Sequence, residues 1–230
     1  MDVPVYNMQG AEVGTFTINE ADLGGVVNPL LIKQAYVRYH ANLRQGSART
    51  RNRHAVHGST RKMYKQKGTG RARHGNKKAV QLRGGGHAHA KTRTREAFRQ
   101  DMPKKMRRKA NRNALLAKLV DQEVKVIDSL EMSKPETRGF VAFLRALKID
   151  RRALVALSAD RTKSGNARLS ARNIDDVTLC RSDQLTCFEM LNHRYLIIAR
   201  DDLQAWLEGP SSQIDKSART SPMGRKGEGS

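Results

Sequence analysis

Cysteine, tryptophan and acid are scarce in this chain. Its 230 residues hold two cysteines and one tryptophan, and aromatic residues make up only 5%. Two thiols, Cys180 and Cys187, cannot form a disulfide framework, so reduced thiols of a cytosolic protein are expected. No window approaches eighteen apolar residues, so no membrane span is expected. The opening residues MDVPVY read neither as a basic-then-apolar signal nor as an Arg-rich transit peptide, which makes a cytoplasmic location the expectation.

Acid is missing in one place above all. Between Arg44 and Arg112, Glu96 and Asp101 are the only acids beside 23 Lys and Arg, whereas the remainder has 21 bases and 20 acids. Nearly all of the formal charge of +22 therefore lies in one segment, which points to a polyanionic partner. The apolar residues there are mostly isolated, as with Val56, Met63, Tyr64, Val80, Leu82 and Phe98. They are too few to offset a backbone entropy loss of roughly 1–2 kcal/mol per residue. The segment reads as an extension that is disordered in isolation and ordered by its partner.

The rest of the sequence is patterned. Val3, Val5, Val13, Thr15 and Thr17 alternate around a turn at Asn7–Gly10, predicting a hairpin. Asn28-Pro29 predicts a helix start, with Ile32, Ala35, Tyr36, Tyr39 and Leu43 at helical spacing and Gly46 as a stop. A second helix is predicted after Asp101, cationic at first and apolar later. Short apolar runs at Val124–Ile127, Ala153–Leu157, Val177–Cys180 and Tyr195–Ala199 predict strands. Between them lie helical signals: a capping box at Ser133–Glu136 leading Phe140, Phe143, Leu144 and Leu147, then 164–171 and 182–191, with Asp201 capping a last helix.

Strands alternating with helices predict an α/β fold, a Rossmann-like, mostly parallel sheet flanked by helices, with a long basic loop inserted after the first helix. The expected organisation is a globular domain from residues 1–43 and 101–209, an extended basic loop for a polyanionic partner over 44–100, and a disordered tail over 210–230.

The basic segment contains KQKGTGRARHGNKK (Lys65–Lys78), which has the glycines and cations of a phosphate-cradling loop. Gly70 and Gly75 have the P-loop separation, but Asn76 and Lys77 stand where Lys and Ser or Thr are required, and no strand precedes them. Gly68 and Gly70 begin a dinucleotide fingerprint that Arg73 breaks. His87 and His89 could ligate a metal, yet only Glu96 and Asp101 are nearby acids in a field of cations, so no metal is expected. Ser158, Asp160 and His193 are scattered and make no catalytic constellation. No cofactor and no catalysis are expected.

Helix-turn-helix, zinc-finger and basic-zipper signatures are absent, and a long glycine-rich arm suits folded RNA better than a duplex groove. Duplex DNA is the alternative partner. Phosphate contacts are expected from Arg44, Arg49, Arg51, Arg53, Arg61, Lys62, Arg71, Arg73, Lys77, Lys78 and Arg83. Lys104, Lys105, Arg107, Arg108 and Arg112 should anchor the base of the loop.

The stretch from Arg44 to Gly86, with Arg44-Gln45-Gly46, the Lys67–Arg73 block and Arg83-Gly84-Gly85-Gly86, resembles the bacterial large-subunit ribosomal protein four family. VPVYNMQG at the start, MPKKMRRKANRNAL after the loop, VIDSL at 126–130 and LSARN at 169–173 extend the resemblance over about residues 3–208. It implies a structural protein of the large ribosomal subunit that binds 23S-type rRNA and neighbouring large-subunit proteins. It further implies a role in subunit assembly and a loop tip that helps line the peptide exit tunnel, where the nascent chain passes. By motif position the tip is Tyr64, Lys65, Gln66, Lys67, Gly68, Thr69 and Gly70. Lys78–Leu82 departs from the Ser-Pro-Ile-Trp-like run of the family.

Overall fold

A computed structural model of the protein describes residues 1–92 and 97–209. The expected tail over 210–230 lies outside the described residues. The chain opens with β1 (Asp2–Tyr6) and β2 (Glu12–Thr17), an antiparallel hairpin whose turn is held by Asn7. The Asn7 side-chain oxygen accepts from the backbone N–H of Gln9 and Ala11, an Asx arrangement that mimics a backbone turn. Helix α1 (Pro29–Leu43) starts where Asn28-Pro29 predicts, with the Asn28 side chain accepting from Leu31 N–H at 3.1 Å. After the basic segment come α2 (Lys104–Val120), β3 (Val124–Ile127), α3 (Thr137–Ala146), β4 (Ala153–Leu157) and α4 (Arg161–Ala171). The chain continues with β5 (Val177–Arg181), α5 (Cys187–Asn192), β6 (Tyr195–Ala199) and α6 (Arg200–Glu208).

The six strands form one sheet in the order β2-β1-β3-β6-β4-β5, parallel except for the first hairpin. Strand β4 is buried along its whole length, which is why its sequence, ALVAL, is continuous rather than alternating. Its residues still divide between two faces. Ala153, Val155 and Leu157 pack with Ile127, Ile197, Phe140, Phe143 and Leu147 under α3 and α4. Leu154 and Ala156, with Leu196 and Ile198 of β6, are buried on the opposite face. The mostly parallel α/β sandwich expected from the apolar runs is therefore present.

Two start signals were misplaced. Glu136 stands at the N-cap of α3 and its side chain caps nothing, so the box at Ser133–Glu136 is not made. Pro135 disfavours helical geometry at Lys134, the helix begins only at Thr137, and the Glu136 N–H donates instead to Ser170 Oγ at 2.8 Å. Asp201 lies inside the first turn of α6, behind Ala199 at the N-cap, where it complements the helix dipole without capping. The helical signal over 182–191 resolves into a short 3-10 turn, Ser182–Gln184, and the one-and-a-half-turn α5.

The described residues divide into two compact units, Met1–Val37 with 102–209, and those of 38–101. The first contains the sheet and its hydrophobic core. In the second, Gly86 is the sole buried residue among those described, so nothing there resembles a core.

Candidate nucleic-acid interface

Residues 44–92 form no helix and no strand longer than a single bridge. Their order comes from backbone hydrogen bonds between distant positions. At the base of the unit the Asn42 amide donates to the Gln100 carbonyl and accepts from the Gln100 N–H, both at 3.0 Å. Arg44 lies over the Phe98 ring, 3.9 Å from its centroid, which explains the one phenylalanine in a cationic stretch. Further along, Thr50 N–H donates to the Lys91 carbonyl at 3.1 Å, and Lys91 N–H returns to Thr50 Oγ1 at 2.7 Å. His87 N–H donates to the Arg51 carbonyl at 2.9 Å, and the Asn52 side chain caps the turn by accepting from His54 and Ala55.

The expected tip is closed at its neck. Lys62 and Asn76 form an antiparallel bridge, and Met63 N–H donates to the Gly75 carbonyl at 2.9 Å. Within this closure the Tyr64 hydroxyl donates to the Ala72 carbonyl and its ring meets His74 edge-on, centroids 6.2 Å apart. Tyr64 is thus turned onto its own loop. Lys65, Gln66, Lys67, Gly68 and Gly70 are exposed, and Gly68 and Gly70 hold positive φ of 80° and 63°. The Lys62 ammonium donates to Gln66 Oε1 at 2.6 Å.

The cations themselves face solvent. Arg44, Arg49, Arg51, Arg53, Arg61, Lys62, Arg71, Arg73, Lys77 and Arg83 are exposed, and Lys78 is half-buried. Among the described residues of 44–101 the single ion pair is Arg99–Asp101 at 3.6 Å. Charges of one sign at this density repel one another within a Debye length of about 8 Å. A bound polyanion relieves that repulsion.

On α2, Lys104 and Lys105 are exposed while Arg107, Arg108 and Arg112 are half-buried. Arg112 is engaged with protein carbonyls, donating to Leu207 at 2.9 Å and to Gly209 and Asp22 at 3.4 Å. It ties the end of α6 to α2. Two neighbours were not singled out by sequence. Asn113 accepts from Asn28 N–H at 2.6 Å and donates to the Val26 carbonyl at 2.7 Å, and Asn111 accepts from Cys187 N–H at 2.9 Å. Both asparagines are fully buried in an otherwise apolar helix half, and that company was the available signal.

The geometry also bears on the rival chemistries. No strand leads into Gly70 and no helix follows Gly75, so backbone N–H groups do not converge as in a nucleotide loop. A crevice at the carboxyl ends of β3, β4 and β6 is the usual cofactor position of such sheets. Here Asp128, Glu131, Asp201 and Asp202 line it beside a single cation, Lys163, a net negative lining that disfavours phosphates. His193 is held by Thr178 Oγ1 and the Glu189 carbonyl, each at 2.7 Å, and precedes β6, whereas Ser158 follows β4. Because β4 and β6 are parallel, the two sit at opposite ends of these neighbouring strands. Among the described residues no three His, Cys, Asp or Glu cluster as metal ligands, and no helix is long and apolar enough to cross a membrane.

Compared with known families, residues 17–209 match the model described as the ribosomal protein L4/L1 family, well over half of the chain.

Proposed function

Since this chain belongs to the ribosomal protein L4/L1 family and is a structural, rRNA-binding protein of the large ribosomal subunit, we propose that residues 44–100 are its principal rRNA-binding arm. Arg44, Arg49, Arg51, Arg53, Arg61, Lys62, Arg71, Arg73, Lys77, Lys78 and Arg83 contact phosphates, and Lys104, Lys105, Arg107 and Arg108 extend the contact from α2. Arg112 contributes by holding α2 against α6. The observation that carries this reading is the exposed, almost uncompensated charge of a unit whose described residues form no core. Guanidinium forks suit phosphate oxygens and stack on unpaired bases, which a folded RNA offers and a duplex does not.

In the assembled subunit the closed loop at 62–76 is the part that reaches the peptide exit tunnel, with Lys65, Gln66 and Lys67 toward the nascent chain. Binding of the arm is an early step in subunit assembly. Photo-crosslinkers at Lys65 and Lys67 in purified large subunits test the tunnel assignment. Crosslinks to tunnel-wall rRNA or to a stalled nascent chain are expected, and crosslinks confined to the subunit exterior would overturn it.

A further inference from the structure

The one buried residue among the described residues of the arm is a glycine, and its surroundings explain why. A Cβ built on Gly86 would lie 2.5 Å from Arg53 Cα and closer still to the Arg53 nitrogen and the Asn52 carbonyl carbon. A Cβ on Gly85 would fall on the Ala79 carbonyl oxygen, with the Ala79 carbonyl carbon at 2.9 Å and the Leu82 oxygen at 3.0 Å. All of these are backbone atoms, so no rotamer change relieves the overlap. The crossing is also hydrogen-bonded. Gly86 N–H donates to the Lys78 carbonyl at 3.2 Å, Gly85 N–H to Leu82 at 2.9 Å, and His87 N–H to Arg51 at 2.9 Å. Three backbone segments, 51–53, 78–82 and 85–87, thus meet at a point where only hydrogen fits as a side chain.

Each of those segments carries or adjoins cations: exposed Arg51 and Arg53 on the first, exposed Lys77 and half-buried Lys78 at the second, exposed Arg83 before the third. We propose that Gly85 and Gly86 are positioning residues for rRNA binding, because the crossing they permit sets the spacing of Arg51, Arg53, Lys78 and Arg83. The inference rests on the reading of this unit as the rRNA-binding arm. Neither glycine touches RNA in this account; they act through the arginines. Gly75 and Gly84 differ, since a Cβ at either meets nothing within 4 Å. Gly75 lacks a positive φ and is the cleaner control.

The test uses the full chain and large-subunit rRNA over a salt series, with Gly86→Ala, Gly75→Ala, the paired change Arg51→Ala/Arg53→Ala, and that pair combined with Gly86→Ala. Gly86→Ala should weaken binding at least tenfold. If two phosphate contacts go, it should also make the log-log salt slope shallower by about 1.4. The arginine pair should produce a similar loss, Gly75→Ala almost none, and Gly86→Ala little more once the arginines are gone. Loss of affinity with an unchanged salt slope would mean damaged folding alone and would overturn the inference, as would wild-type binding by Gly86→Ala. If the arginine pair itself leaves rRNA affinity untouched, the assignment of these residues as phosphate contacts fails, and the inference fails with it.

Discussion

At the scale of single residues, Asn113 does the work of a clamp. Its amide satisfies the Asn28 N–H and the Val26 carbonyl at once, fixing the loop that launches α1 onto α2. Asn113→Ala removes both hydrogen bonds, each worth roughly 0.5–1.5 kcal/mol where water can replace the lost partner. Urea unfolding should show a loss of about 1–3 kcal/mol; a midpoint within error of wild type would contradict the clamp. Cys180 gives a pH signature. Burial, with Glu189 and Asp183 nearby, pushes its thiol far above the ordinary range. The folded protein then keeps this proton where an unfolded chain loses it. Its contribution to stability is full below the ordinary thiol pKa of about 8.5 and is lost progressively above it. Between pH 7.5 and 9.5 the urea midpoint of the wild type should fall more steeply than that of Cys180→Ala. Parallel curves would show that the thiol is not the cause.

At the scale of elements, the body and the arm were legible to different degrees, for a physical reason. Strands β3, β4 and β6 advertise themselves because a parallel sheet covered on both faces needs continuous apolar runs such as ALVAL and YLIIA. Helix starts were less legible. Pro135 and Ala199 decide the true boundaries of α3 and α6, and capping residues nearby gave plausible but wrong alternatives. In the arm, the cationic character was plain, but its order was not. The Asn42–Gln100 clasp, the Thr50–Lys91 pair and the Gly86–Arg53 crossing join positions 58, 41 and 33 residues apart and have no period to read. The buried asparagines of α2 went unnoticed because a polar residue in a helix is normally read as surface. An outcome follows for the arm as an element. Deleting residues 55–90 joins His54 to Lys91, and Thr50 already pairs with Lys91, so the shortened loop can close. Cooperative thermal unfolding of the α/β body should persist in that deletion. A broad, non-cooperative melt would show that the body depends on the arm.

At the scale of the whole molecule, charge and core are segregated. The Met1–Val37 and Met102–Gly209 residues supply the sheet and its buried apolar side chains, while the cation-rich segment supplies exposed guanidinium and ammonium groups with one acid pairing among its described residues. That division suits a structural, rRNA-binding protein of the large ribosomal subunit, and on the proposed reading it is RNA that neutralises the segment's charge. The most direct measurement is the salt dependence of binding to large-subunit rRNA fragments, with duplex DNA as competitor, for the full chain and for the 55–90 deletion. If about ten phosphates are neutralised, the full chain should show a log-log slope of about −7, so that fourfold more salt weakens binding by roughly 10⁴. The deletion should bind far more weakly with a shallower slope, and duplex DNA should compete poorly. Equal affinity for duplex DNA, or an unchanged slope after the deletion, would contradict the account.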